Sequence, residues 1–191
     1  VDVVKLLSRV IMDLAEGEIK QNLNRFDSGQ TFSQYINKSY CKTASLIANS
    51  AKAAGVLSKL EEAKLTSLYE FGKNIGLAFQ VVDDILDFTG NDKQLGKPAV
   101  SDLASGYLTA PVLYALEENK NLSVLINREL AEKDDLNNAL DIIMNSKAID
   151  RSKKFAEDFA ILSKEAILWL PDSNYKRALL ALPEYVLSRL Y

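Results

Sequence analysis

Three features of the sequence predict an all-α helical bundle. Apolar residues recur at helical spacing nearly from end to end, no stretch alternates with a period of two, and turn signals divide the chain into pieces of helical length. A length of 191 residues is the size of one ordinary domain, and residues 1–191 read as a single unit without a linker, repeat or low-complexity tract. The apolar fraction of 48% and charged fraction of 26% are those of a globular chain able to bury a core.

The first helix places Val3, Leu6, Leu7, Val10, Ile11, Leu14 and Ile19 on one face and closes at Asp27, Ser28 and Gly29. The chain enters it at once from Val1, as if into a helix already under way. Thr31 and Gln34 have the spacing of a capping box, opening a second helix through Tyr35, Tyr40, Leu46 and Ile47 to a Gly55 C-cap. Ser58 and Glu61 repeat the pattern before a long helix through Leu65, Leu68, Phe71, Leu77 and Val81 to Phe88. Gly72 and Gly76 weaken that helix locally but permit close approach of a neighbour. Residues 90–106 read as irregular. Thr109 and Pro111 open a fourth helix, with proline tolerated in its first turn. Shorter helices follow over Ser123–Leu130, Asp134–Met144 and Ile149–Leu170, where Pro171 stops the last, and Ser173–Tyr191 is expected to kink or restart at Pro183.

Composition removes whole classes of chemistry. The sequence has no histidine, which excludes imidazole metal sites, Ser-His-Asp and Cys-His catalysis and any histidine base. The single cysteine, Cys41, excludes an intrachain disulfide and reads as a small core residue. The net charge of -3, from 23 basic and 26 acidic residues, comes without a basic arm, so nucleic acid is not an expected partner. No apolar run approaches the roughly 20 residues of a membrane span. Carboxylates, lysines and backbone dipoles remain.

The densest chemistry is in Phe79-Gln80-Val81-Val82-Asp83-Asp84-Ile85-Leu86-Asp87-Phe88. On a helix, Gln80, Asp83, Asp84 and Asp87 fall within one turn of one another and are expected to project from one face, flanked by residues that should be buried. Like charges so close repel, and a hard divalent cation such as Mg2+ is an oxygen-seeking means of offsetting them. A solvated acidic face, or pairing with lysines of a neighbouring helix, is the competing explanation. Lys38 and Lys42, at i,i+4 with Tyr35 beside them, could hold an anion such as diphosphate or simply form a solvated basic face. Gly90 to Pro98 resembles a P-loop superficially, but five residues separate its glycines and Pro98 stands where Ser or Thr must ligate Mg2+. What remains is a loop able to carry Lys97 towards the aspartates.

Together these elements resemble the trans-isoprenyl (polyprenyl) diphosphate synthase family. Gly17-Glu18-x-x-Gln21, Lys42-Thr43, Phe79-Gln80-x-x-Asp83-Asp84-x-x-Asp87 and Gly96-Lys97-Pro98 stand in that family's order and close to its spacing. Ser101-Asp102-Leu103 through Thr109-Ala110-Pro111 is similar to the long-chain members. Tyr185 to Leu190 is similar to the cyanobacterial and plastid solanesyl diphosphate synthase branch. The family carries two aspartate-rich motifs, and this sequence contains only the second; Asp134 to Asp141 has the wrong spacing for the first, and an upstream Gly-Lys-Arg segment is missing.

The resemblance therefore implies that residues 1–191 are the C-terminal part of a single prenyl diphosphate synthase domain, isoprenoid-synthase-like, truncated at the N-terminus and inactive alone. It further implies that Asp83, Asp84 and Asp87 hold Mg2+, that Lys42 and Lys97 bind the diphosphate, and that the side-chain oxygens of Thr43 and Gln80 stabilise an allylic cation. The implied substrates are an allylic prenyl diphosphate and isopentenyl diphosphate, joined head-to-tail into a trans-polyprenyl diphosphate such as a quinone side chain. The intact protein would be a homodimer in a plastid or a bacterial cytoplasm. A non-catalytic, regulatory subunit of the same fold, or a binding module, is the alternative.

Overall fold

The computed structural model describes residues 1–90 and 100–191, and every described element of regular structure is helical. In chain order the helices are α1 (Asp2–Leu23), α2 (Phe32–Ser39), a π-helical turn (Tyr40–Ala44), α3 (Ser45–Leu57), α4 (Glu62–Thr89), α5 (Ser101–Ala104), α6 (Ala110–Glu118), α7 (Lys120–Asn127), α8 (Asp135–Met144), α9 (Ala148–Ala166) and α10 (Asn174–Ser188). No described helix is long and apolar enough to cross a membrane.

The 28-residue α4 is the axis of the bundle, and α3 and α9 pack most extensively along it. Its second half buries Val81, Val82 and Ile85 essentially completely, and Leu103, Leu108, Val112, Leu122, Ile126, Ile143 and Ile167 close the core around them. Each such side chain contributes about 1.5–3 kcal/mol of transfer free energy. The contact of α4 with α3 depends on the two glycines. A Cβ on Gly72 would lie 2.5 Å from the Ile47 carbonyl oxygen, and one on Gly76 would lie 2.6 Å from Ala44 Cα.

The Thr31–Gln34 capping box forms in full: the Thr31 hydroxyl accepts from the Gln34 amide, and the Gln34 side chain accepts from the Thr31 amide. Four expectations need correction. Gly55 does not end its helix, which continues to Leu57; a Cβ there would lie 2.7 Å from Leu65, so its role is close packing against α4. Ser58 caps the C-terminus of α3, and α4 starts after Glu61 without a side-chain cap. The helix expected at Ser123 begins at Lys120, because the Asn119 side chain accepts from the Asn121 amide and provides the N-cap. Residues 101–104, expected to be irregular, form the short α5.

The first helix departs in which side it buries. Leu7, Ile11, Leu14 and Ile19 of its apolar face are exposed, while Asp13 and Gly17 are buried. The packed side is the small, polar one: Asp13 accepts from Ser45 at 2.5 Å, and Gly17 lets the Cys41–Lys42 backbone approach to within about one van der Waals contact. Hydrophobic periodicity located this helix correctly and misassigned its inner face.

Candidate active site

Side chains of α2, the π-helical turn and α4 meet at one end of the bundle. Asp84 is only 2% exposed, and both of its carboxylate oxygens are bonded. The Tyr35 hydroxyl donates to Oδ2 at 2.7 Å, and the Gln80 amide nitrogen donates to Oδ1 at 2.8 Å. Gln80 is itself fixed from the other end, since the Thr43 hydroxyl donates to its Oε1 at 2.6 Å. Thr43, Gln80, Asp84 and Tyr35 thus form a continuous hydrogen-bonded chain across three elements. Burial pushes the Asp84 carboxyl up to about 6, against the opposing pull of the nearby Lys38 charge and the two donors. Burial and the adjacent carboxylate likewise push the Tyr35 phenol well above its ordinary value.

Lys38 is also buried, at 8% exposure, with its ammonium 5.0 Å from the centre of the Tyr35 ring, and burial lowers its pKa. Lys42, one turn on, reaches α1 instead: its ammonium donates to Gln21 at 2.9 Å and lies 3.1 Å from Glu18. The π-helical turn contains both Lys42 and Thr43 and is closed by the Ser45 amide donating five residues back to Tyr40. This wider turn directs Lys42 towards α1 while Thr43 faces α4; π-bulges of this kind recur at functional sites.

Lys38, Lys42, Gln80, Asp84, Gln21 and Thr109 are among the residues lining a polar cavity of about 80 Å3, room for two or three water molecules. Ser39 also lines it, and the Thr109 hydroxyl is buried with no hydrogen-bond partner among the described residues. Two lysines and two aspartates, Asp84 and Asp102, share this lining, so the space favours a polar occupant.

The three aspartates fall within an arc of about 100° on α4 but meet different partners. Asp84 turns inward, about 100° around the helix from Asp83. Asp83 is about one-third exposed and pairs with Arg189 from the end of α10, at 2.7 Å. Asp87 is buried, and its carboxylate accepts from the Ser101 hydroxyl and the Asp102 amide, each at 3.1 Å, while its carbonyl accepts from the Val100 amide. It thereby holds Val100, a β-branched residue at φ 62°, in the left-handed region that such residues avoid. Among the described residues, the acidic and thiol ligand atoms within 4.8 Å of one another belong to Asp13, Glu16 and Cys41, not to α4. Arg9 and Lys20 already pair with Asp13 and Glu16 there. The α4 set is nevertheless suited to a hard cation, because its donors are all oxygens and a guanidinium already stands against Asp83. Lys97 lies outside the described residues, as does the rest of Gly96-Lys97-Pro98.

Sequence reasoning therefore placed Gln80, Thr43 and Lys42 near the aspartates. The spacing of Tyr35, Lys38 and Lys42 allows either an anion site or a solvated basic face; Lys38 is buried, and Tyr35 donates to Asp84. Sequence reasoning missed Arg189, which no local spacing could connect to a residue more than a hundred positions away.

The all-helical bundle has the isoprenoid-synthase fold of solved polyprenyl synthases, and a Lys-Thr turn and a buried Gln-Asp pair meet at one end of it. The chain belongs to the polyprenyl synthetase family, whose profile matches residues 1–143. It is 53% identical over 190 residues to a prenyl transferase of Synechocystis sp. and 44% identical to a chloroplastic solanesyl-diphosphate synthase of Oryza sativa. These matches take in all of this chain, which spans only 59% and 47% of the length of those two proteins. A polyprenyl synthase from Caulobacter crescentus, solved with calcium and isoprenyl diphosphate, superposes with a TM-score of 0.89 at 31% identity, over 99% of this chain and 59% of that one.

Proposed function

We propose that this chain supplies the diphosphate-ionising half of a Mg2+-dependent trans-polyprenyl diphosphate synthase, which adds isopentenyl diphosphate head-to-tail to an allylic prenyl diphosphate. The observation that carries this reading is the Thr43–Gln80–Asp84–Tyr35 chain beside a cavity shared by two lysines. The likeness to a chloroplastic solanesyl-diphosphate synthase and to a cyanobacterial prenyl transferase supports a long product, suited to a quinone side chain, made in a plastid or a bacterial cytoplasm. We take the intact protein to act as a homodimer that includes a first aspartate-rich motif.

Asp83, Asp84 and Asp87 would hold Mg2+, which when bound neutralises the diphosphate and eases its departure. Lys42, tethered between Gln21 and Glu18, and Lys97 add positive charge at the same group. Thr43 gives its proton to Gln80, and the Gln80 amide gives one of its protons to Asp84. The oxygen lone pairs left over on Thr43 and Gln80 would be fixed negative dipoles, able to stabilise a carbocation without reorganising. The apolar core around α4 keeps the opposite side of this chain dry.

The test is chain elongation by the full-length protein. Radiolabelled isopentenyl diphosphate, an allylic diphosphate and Mg2+ should give polyprenyl diphosphates, and EDTA should abolish them. Diphosphate binding with no product at any allylic chain length would favour the non-catalytic, regulatory subunit instead.

A further inference from the structure

The end of α10 brings a cation to the carboxylate that the proposed function assigns to the metal. Arg189 caps α10, and its Nη2 lies 2.7 Å from Asp83 Oδ1. Its guanidinium also sits 4.8 Å from the centre of the Phe79 ring. Phe79 precedes Asp83 by one turn of α4, so ring and carboxylate together form a receptor for a flat cation. The Arg189 side chain is 32% exposed, and its Nη1 is buried with no hydrogen-bond partner among the described residues. The guanidinium is therefore seated through Nη2 and the ring face, with donor capacity left unspent. A half-satisfied arginine is displaced more readily than one bonded on every side.

We propose that Arg189 is an internal competitor that sets the divalent-cation affinity of Asp83, so that metal loading and docking of the end of α10 exclude one another. A guanidinium and a divalent ion cannot both occupy the same carboxylate edge without facing each other across a few ångströms. Linkage then makes the effect reciprocal: whatever the docked arginine takes from metal affinity, bound metal takes from the docking of α10. A partly exposed ion pair with one cation–π contact corresponds to about a 3- to 10-fold weakening of metal binding. Arg189 is in this sense a positioning residue that acts through Asp83. The inference rests on Asp83 being a metal ligand.

The experiment uses the full-length protein, with Mg2+ or Mn2+ alone followed by calorimetry, and hydrogen exchange at the end of α10 as a second readout. R189Q is expected to bind the metal about 3- to 10-fold more tightly than wild type. In wild type, metal is expected to increase amide exchange in residues 186–191; in R189Q that segment should already be fast and insensitive to metal. R189K, which keeps the charge but loses the flat stacking geometry, should fall between the two and guards against a variant that misfolds. Equal or weaker metal affinity in R189Q, with normal wild-type binding, overturns the competitor role and leaves the proposed function standing. Failure of wild type and variants alike to bind metal overturns the assignment of Asp83, and the competitor role with it.

Discussion

If Asp84 serves the proposed function, it is the position where function and stability are most clearly opposed, and the conflict can be measured. Its carboxyl is raised from an ordinary 3.8 to about 6 because ionisation inside the bundle forfeits hydration that Tyr35, Gln80 and Lys38 only partly replace. For an acid whose pKa is higher in the folded state, the unfolded chain releases its proton first. Stability is therefore lost as pH rises through the interval from 3.8 to about 6 and stays lost above it. At about 1.36 kcal/mol per pH unit the deficit at pH 7.5 is about 3 kcal/mol, and at pH 4.5 it is about 1 kcal/mol. Asp84→Asn keeps the size and has no proton to lose; its oxygen can still accept from Gln80, while its amide nitrogen bonds to Tyr35 only if the phenol turns to accept, an offset that does not change with pH. In the absence of divalent metal, urea unfolding of the full-length variant should show a gain over wild type that grows from pH 4.5 to pH 7.5 by about 2 kcal/mol. Prenyl transfer should meanwhile fall by about 100-fold or more, since a preorganised charge has been removed. A gap that does not widen with pH would refute the claim that a buried, under-compensated carboxylate is the source.

Asp83→Ala in the full-length protein should lower turnover by at least about 100-fold, read by product formation at saturating substrate; an unchanged rate removes Asp83 from the metal site. Lys42→Ala should raise the KM for the allylic diphosphate by about tenfold or more while urea stability moves by about 1 kcal/mol or less, because its Gln21 and Glu18 contacts are only partly buried. Gly76→Val should destabilise by about 1–3 kcal/mol or more, measured by denaturation, since the added carbons would meet the Ala44 backbone rather than a side chain that can swing away. Tyr35→Phe should leave the buried Asp84 carboxylate with one donor fewer, costing about 1–3 kcal/mol above pH 6 and less at low pH, where the carboxyl is protonated.

The bundle was legible because helical period and capping chemistry are local. Thr31 and Gln34 announce their capping box within four residues, and the Gly72–Gly76 pair announces a close neighbour without saying which; that neighbour is α3. The inner face of α1 was not legible. Seven apolar residues at helical spacing outvote Asp13 and Gly17 in any count of hydrophobicity, yet those two make the contact, because Ser45 satisfies Asp13 and only a glycine admits the backbone at Cys41–Lys42. The π-helical turn was hidden for the same reason. Its extra residue is compensated by contacts with α1 and α4, and nothing within Tyr40–Ala44 signals it.

The division of the aspartates follows from how one helix meets several neighbours. Successive residues on α4 point about 100° apart, so Asp83 faces α10, Asp84 faces α2, and Asp87 faces the segment entering α5. Spacing alone gives the angular order of these side chains but not the partner standing at each angle. Each carboxylate consequently has a different polar environment, and each is bonded before any metal arrives. Metal loading at such a site must trade existing bonds for new ones: a guanidinium at Asp83, a phenol and an amide at Asp84, a hydroxyl and a backbone amide at Asp87. Asp83 is the most exposed of the three carboxylates, so water can replace the bonds it gives up during that exchange, and Asp83 is where a divalent ion should enter first.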